Sequence, residues 1–355
     1  HLSALSMGLP RRDELLEMLK EHLTTTEAEV LLMLPTKVAP LQPVGIEKIA
    51  GKVNLPDKKL GEILESLVER GFLYSGKTED GGNGYALQQV GFGFPQAFLW
   101  KGEDTPDSRN MANFVAKYFN RHVNLEAYGS SETKPFRYVP TEGTIDNAIQ
   151  AVFPYHSMET VIEQANTFAV AHCACRMVMQ LKGRGCDHPL EVCMKFDNMA
   201  EYIIERELGK EITREEAIEV IRKSEDAGLV HFVDNAINDI KHNCNCCGCS
   251  CWNVGSIKRR KIPRDSLMAT YFMRETDKEE CVGCGNCLDI CPVDAITIDD
   301  NSAIIDEEWC IGCGLCVSRC PNGAAQLKFR ADKMEQLPLP SFMKLHERLL
   351  KERRD

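Results

Sequence analysis

The chain has 355 residues, 43% of them apolar and 27% charged, which describes a folded globular protein of two or three domains and excludes a disordered one. Its formal net charge of −11 disfavours nucleic acid as a partner. The longest uncharged stretch, Gly81 to Trp100, carries too much glycine, glutamine and proline for a bilayer helix, so no membrane span is expected.

The opening residues, His1 to Ser6, precede Met7 and read as an expression scar or upstream read-through that lies outside the fold. Residues 9–140 form the first predicted domain. Arg11 to Leu23 reads as a short amphipathic helix, and Thr26 to Leu34 as a second that Pro35 closes. Past a proline-rich connector, Ile46 to Val53 and Asp57 to Arg70 make a helix pair. The second starts beside Pro56 and ends where Gly71 supplies a left-handed cap. Leu60, Ile63, Leu64, Leu67 and Val68 form its apolar stripe. Phe72 to Tyr74 and Tyr85 to Gln88 read as the arms of a hairpin across the glycine-rich turn Gly76 to Gly84. This order resembles a winged helix. Lys58, Lys59 and Arg70 are outnumbered by Asp57, Glu62, Glu65 and Glu69, so packing or protein docking is the favoured use and DNA binding the other.

Residues 141–255 form the second predicted domain, read as mainly helical and cysteine-rich. Met158 to Arg176 is expected as one long helix. Thr213 and Glu216 have capping-box spacing for a helix from Arg214 that stops at Gly228. Two groups of cysteines fall here. Cys173, Cys175, Cys186 and Cys193 suffice for a [4Fe–4S] cluster, with a Cys₃His zinc site using His172 or His188 as the competitor. Arg176 either hydrogen-bonds that cluster or caps a helix. Cys244, Cys246, Cys247, Cys249 and Cys251 are five thiols in eight residues. A cluster is the first reading for them, a zinc knot the second and a redox-active thiol pair the third; the two groups can also pool ligands. His242 and Trp252 read as packing residues.

Residues 256–274 read as a basic linker. Lys258, Arg259, Arg260, Lys261, Arg264 and Arg274 face only Asp265. A solvated linker is one reading; the sharper one has these cations screen anionic clusters or meet an acidic partner.

Residues 275–330 carry the most specific motif. Cys281-x-x-Cys284-x-x-Cys287-x-x-x-Cys291-Pro292 recurs 29 residues later as Cys310-x-x-Cys313-x-x-Cys316-x-x-x-Cys320-Pro321. Three cysteines two residues apart wrap a loop around three irons of a cubane, and the fourth iron is reached from elsewhere. The segment resembles bacterial two-cluster ferredoxins. The resemblance implies a βαββαβ fold and crossed ligation: Cys281, Cys284, Cys287 and Cys320 on one [4Fe–4S] cluster, Cys310, Cys313, Cys316 and Cys291 on the other. Gly283, Gly285, Gly312 and Gly314 lie in the loops, and residues 295–298 and 303–305 read as short strands. Residues 331–355 form a tail whose stretch Ser341 to Arg354 is a basic amphipathic helix, free to lie on this protein or another.

The fold class expected is therefore α+β, with two [4Fe–4S] clusters at the C-terminus and one or two more in residues 173–251. The cysteine runs, in a chain that opens on no apolar signal segment, point to metal thiolates in a reducing, cytoplasmic compartment, with disulfides as the bland alternative. The whole chain resembles multi-cluster iron–sulfur proteins of anaerobic bacteria and archaea. That resemblance implies a non-catalytic subunit relaying single electrons between a soluble carrier and a larger flavin, molybdenum/tungsten or iron–sulfur oxidoreductase. No G-x-G-x-x-G, Walker or G-x-S-x-G motif is present. The alternatives are a stand-alone reductase with its active site at Cys244–Cys251, and an iron–sulfur-sensing winged-helix regulator.

Overall fold

The computed structural model describes residues 1–129, 131–259, 262–266 and 268–353. Arg260, Lys261 and Arg354, named above among the basic residues, lie outside the described residues.

The N-terminal helices fall at Asp13–His22, Thr25–Met33, Ile46–Ala50 and Asp57–Glu69. Thr24 caps the second in a capping box with Glu27, and Gly71 takes the left-handed conformation (φ 78°) after the last. All five residues of the Asp57–Glu69 stripe are buried. A three-stranded sheet follows from β1 (Val44–Gly45), β2 (Leu73–Lys77) and β3 (Asn83–Leu87), with β3 in the middle. Residues 1–6 belong to the fold: Leu5 and Ser6 are buried, and Ser6 Oγ donates to Gln89.

The middle region is not mainly helical. A seven-stranded sheet runs through it, built from β4 (Phe136–Val139), β5 (Phe168–His172), β6 (Glu191–Phe196), β7 (Lys210–Glu211), β8 (Val230–Asp234), β10 (His242–Cys246) and β11 (Met268–Ala269). β9 (Ala236–Asn238) leaves it to pair with a strand near the C-terminus. The order is β11-β4-β8-β10-β6-β5-β7, antiparallel throughout except for β11 beside β4. The helix expected from Met158 to Arg176 is broken into helix Met158–Glu163, strand β5 and helix Ala174–Leu181. Short apolar runs such as Phe168–Ala171 fit a buried strand as well as a helix, and pairing with β6 decides for the strand. The helix Arg214–Asp226 has the Thr213–Glu216 box and stops at Gly228 (φ 69°) as read from sequence.

The basic stretch 256–274 is not a solvated linker. It supplies helix Val254–Lys258 and strand β11, and Ile257, Ile262, Arg264 and Arg274 are buried. The C-terminal part has the order β12 (Phe272–Thr276), helix Asn286–Ile290, β13 (Ile296–Asp299), β14 (Ser302–Ile305), helix Leu315–Ser318, β15 (Ala325–Phe329). β12 pairs with β15 and β13 with β14, both antiparallel. Beyond β16 (Leu339–Ser341), the tail helix Phe342–Glu352 lies on this protein and buries Phe342, Leu345, His346, Leu349 and Leu350. One apolar core runs from Leu5 to Leu349 through all these regions. No helix among the described residues is long and apolar enough to cross a membrane.

Candidate metal centres

All 17 cysteines carry free thiols, and they fall into four sets. Two lie in the C-terminal repeat. Cys281, Cys284, Cys287 and Cys320 line one cavity, and Cys291, Cys310, Cys313 and Cys316 line another. These are the two sets of four named from the motif. They fit a cubane each, because the chain already aims donors at the sulfurs: Ala303 N–H lies 3.4 Å from Cys281 Sγ, and Ala295 N–H 3.3 Å from Cys291 Sγ. N–H groups of Gly283 and Ala303 hold the Cys281 thiol below its ordinary pKa. Burial pushes Cys316 up to about 12 and Cys313 up as well, and metal binding works against that by taking the thiolate form. Gly312 has no room for a side chain. At its φ of 61° a Cβ would meet the Phe272 carbonyl at 2.2 Å.

Arg274 lines both cavities, is 3% exposed, and leaves its Nε without a hydrogen-bond partner among the described residues. Its guanidinium thus stands between the two sets of thiols. Arg264 donates to the Cys310 carbonyl (2.6 Å), Lys258 pairs with Asp294 (3.2 Å), and Arg259 reaches the Cys249 carbonyl (3.5 Å). These cations of the 256–274 stretch therefore lie against the cysteine loops.

The two cavities differ in exposure. Around the first, Cys284, Val282, Leu288 and Ile298 are exposed. The second faces inward: Thr141 N–H donates to the Cys313 carbonyl (2.9 Å), and Tyr138, 2% exposed on β4, has its pKa raised by burial first and then by the nearby Cys251, Cys246 and Cys313.

The nine remaining cysteines do not divide as the sequence order divides them. Strand β10 reads His242-Asn243-Cys244-Asn245-Cys246, and period-two alternation puts Cys244 and Cys246 on one face. β6 pairs so that Cys193 stands opposite Cys244 and Lys195 opposite His242. Cys173 and Cys175, at the start of helix Ala174–Leu181, and Cys251, after β10, complete a row. Neighbouring thiols are near enough to shift one another's ionisation in the order Cys173, Cys175, Cys251, Cys246, Cys244, Cys193. Thus thiols of the two sequence groups come together, and four of these six are the number a cubane needs.

Lys195 and Arg176 balance this row. Lys195 is 1% exposed, its ammonium 3.0 Å from Cys193 Sγ and 5.2 Å from the Trp100 ring centre. Burial works against its charge, but the fields of Cys193 and Cys244 prevail and raise its pKa. Arg176 does not cap a helix end. Its Nη2 donates to the Asn245 carbonyl (2.6 Å), while Nε and Nη1 are buried without hydrogen-bond partners among the described residues, beside the fields of Cys173, Cys247 and Cys246. Trp100, Phe119 and Phe136 of the N-terminal region, with Trp252, wall a cavity of about 90 Å³ against the thiols, and Phe119 stacks on Trp252 at 5.1 Å. His242 packs among Phe92, Phe136 and Phe232 and pairs with Asp234 (2.8 Å).

Cys186, Cys247 and Cys249 form the fourth set, with His188. Cys247 follows Cys246 and so leaves the thiol face of β10. His172 is not at this set; its Nδ1 lies 3.2 Å from the Trp100 carbonyl. Burial opposes ionisation of Cys186, yet hydrogen bonds from Ser250, His188 and Cys249 bring its pKa down to about 6.

Sequence reasoning missed Lys195 and Trp100 altogether. The strict His-Asn-Cys-Asn-Cys alternation of 242–246 was the available signal for a strand with thiols on one face.

The family model described as 4Fe-4S dicluster domain matches residues 280–324, so this segment is an iron–sulfur electron-carrier domain. No curated protein matches the chain.

Proposed function

We propose that the chain relays single electrons from a docked partner through the two clusters of residues 281–320 to a third iron–sulfur cluster on the Cys173–Cys251 row. The observation that carries this reading is the polarity of the dicluster domain. One set of thiols lies beside exposed residues, and the other lies inward, where the Cys291–Pro292 loop packs on Gly248 of the turn between Cys246 and Cys251 and Tyr138 is near Cys313, Cys246 and Cys251 alike. In this reading Cys281, Cys284, Cys287 and Cys320 hold the outer cluster, and Cys291, Cys310, Cys313 and Cys316 the inner one. A cluster supplies a one-electron couple; the chain fixes its depth, its N–H donors and its cationic neighbours.

The outer port is framed by exposed Val282, Leu288 and Ile298 and by exposed Glu279, Glu280, Asp289 and Asp299. An apolar patch with an acidic rim suits an electron carrier or oxidoreductase subunit that presents a basic rim. The N-terminal winged-helix-like segment serves as a roof, and DNA binding is disfavoured. Its hairpin is engaged internally, by Tyr74 against Tyr202 (5.1 Å) and by Arg206 Nη2 donating to Ser75 Oγ (2.9 Å). The setting is a reducing cytoplasm and anaerobic metabolism.

The test is anaerobic iron and sulfide quantification with reduced-state EPR. About twelve irons per chain and three interacting signals are expected. About eight irons, unchanged by Cys244→Ser, would remove the third cluster and with it the inward relay.

The aromatic-walled cavity over the row, with Lys195 at its edge, favours a second reading, a reductase acting on a small molecule there. A substrate-dependent change in the EPR of the isolated protein separates it from the relay.

A further inference from the structure

We propose that Cys186, His188, Cys247 and Cys249 hold one zinc ion, distinct from every iron–sulfur ligand. The three Sγ atoms and a ring nitrogen of His188 all lie within 4.8 Å of one another, with Cys249 Sγ 3.8 Å from His188 Nδ1. With Zn–S near 2.3 Å and Zn–N near 2.0 Å, a tetrahedron places its corners about 3.5–3.8 Å apart. The donors are therefore gathered about one point, to within a small inward shift. No other group of three or more His, Cys, Asp or Glu donors among the described residues is gathered as tightly. The six thiols of the neighbouring row are strung out instead, as cluster ligands must be when each binds a different iron.

The local chain suits a closed structural site. Two short knuckles, Cys186-Asp187-His188 and Cys247-Gly248-Cys249, come from the β5–β6 connection and from the turn after β10. Ser250 completes the setting, its N–H 3.4 Å from Cys247 Sγ and its hydroxyl 3.3 Å from Cys186 Sγ. Such outer contacts orient ligands and spread thiolate charge. Three thiolates and one imidazole are a zinc set, and at a common donor set zinc binds more tightly than iron(II).

The ion would be redox-silent, so its work is mechanical. It ties the 186–188 knuckle to the turn that carries Cys251, and that turn is pressed onto the dicluster domain. At Gly248 a Cβ would stand 2.0 Å from the Pro292 carbonyl, one residue after Cys291. Zinc thereby fixes the distance between the inner cluster loop and the six-thiol row.

The test uses the full chain purified under argon with zinc and iron quantified together. One zinc per chain is expected. His188→Ala should lower it at least tenfold while iron content and the EPR of the clusters stay unchanged, and His188→Cys should keep it. Cobalt(II) substitution reads the ligand set even where a variant fails to fold: intense visible bands of a tetrahedral thiolate site are expected. Zinc absent from the wild type, iron in its place with a rubredoxin-like spectrum, a loss of about four irons in His188→Ala, or weak octahedral cobalt bands would each overturn the proposal. Because zinc is counted apart from iron, its failure is distinguishable from failure of the relay.

Discussion

The Lys195 ammonium stands 3.0 Å from Cys193 Sγ, deep in the core, with its pKa raised by the thiols it faces. An unpaired buried charge is costly, so the pair is stable only while the sulfur side is anionic, as it is when metal is bound. Lys195→Met should therefore lower the reduction potential of the cluster proposed for this row. A unit charge roughly 5 Å away at an effective dielectric near 20 amounts to roughly 3 kcal/mol, a shift on the order of 100 mV. An EPR-monitored titration measures it, and Lys195→Arg should restore most of it. An unmoved potential would place the row's cluster elsewhere.

Arg274 holds the corresponding position between the two cavities of the dicluster domain. Arg274→Gln should move both potentials down together, by tens of millivolts, since one guanidinium faces both sets of thiols. Film voltammetry resolves the two couples. A shift in one couple alone would show that the arginine serves a single cluster.

Gly312 is the narrowest backbone position of the inner loop. Alanine there meets the Phe272 carbonyl and adopts a φ of 61° that costs an L-residue about 1–2 kcal/mol even without the clash. Gly312→Ala should lose about four irons per chain, while Gly323→Ala, whose Cβ would meet nothing within 4 Å, keeps the full content. Iron quantification compares the two directly.

His346 gives the fold a pH dependence. It is fully buried, and its Nδ1 lies 3.0 Å from Ser6 Oγ. Burial pushes its pKa down to about 3, against the pull of Asp234 and with the help of His242. Between its unfolded value, near 6.5, and about 3, the unfolded chain binds a proton that the folded chain refuses. Stability is thus complete above about pH 6.5 and falls as pH drops below it, by roughly 3 kcal/mol at pH 4.5 from this group alone. Urea unfolding at both pH values, on wild type and His346→Leu, checks this: the variant should lose less on acidification.

The hairpin β2–β3 is held by the middle region. Tyr202 packs on Tyr74 and its hydroxyl meets Gln88 Nε2 at 3.0 Å. Tyr202→Ala should cost about 3–4 kcal/mol in unfolding free energy. A gel shift at low salt should show no DNA retardation for wild type or variant, in keeping with the hairpin's internal contacts.

The sequence by itself determined whatever depends on near neighbours. The cysteine repeat of 281–320 spaces its thiols by two and three residues, as a loop wrapped around three irons of a cubane requires, so spacing alone specifies the domain. The Thr213–Glu216 box and the Leu60–Val68 stripe are likewise local, fixed by one or two helical turns. Only the tertiary structure decided how the other nine cysteines divide. Cys193 meets Cys244 because two strands some fifty residues apart share a register, and His188 meets Cys249 because a turn folds back over that sheet. Strand pairing is set by burial of a whole sheet face, which no single segment encodes. Chain order therefore placed Cys186 beside Cys193, while the fold leaves Cys186 in the connection before β6 near Cys247 and Cys249 and sets Cys193 on β6 opposite Cys244.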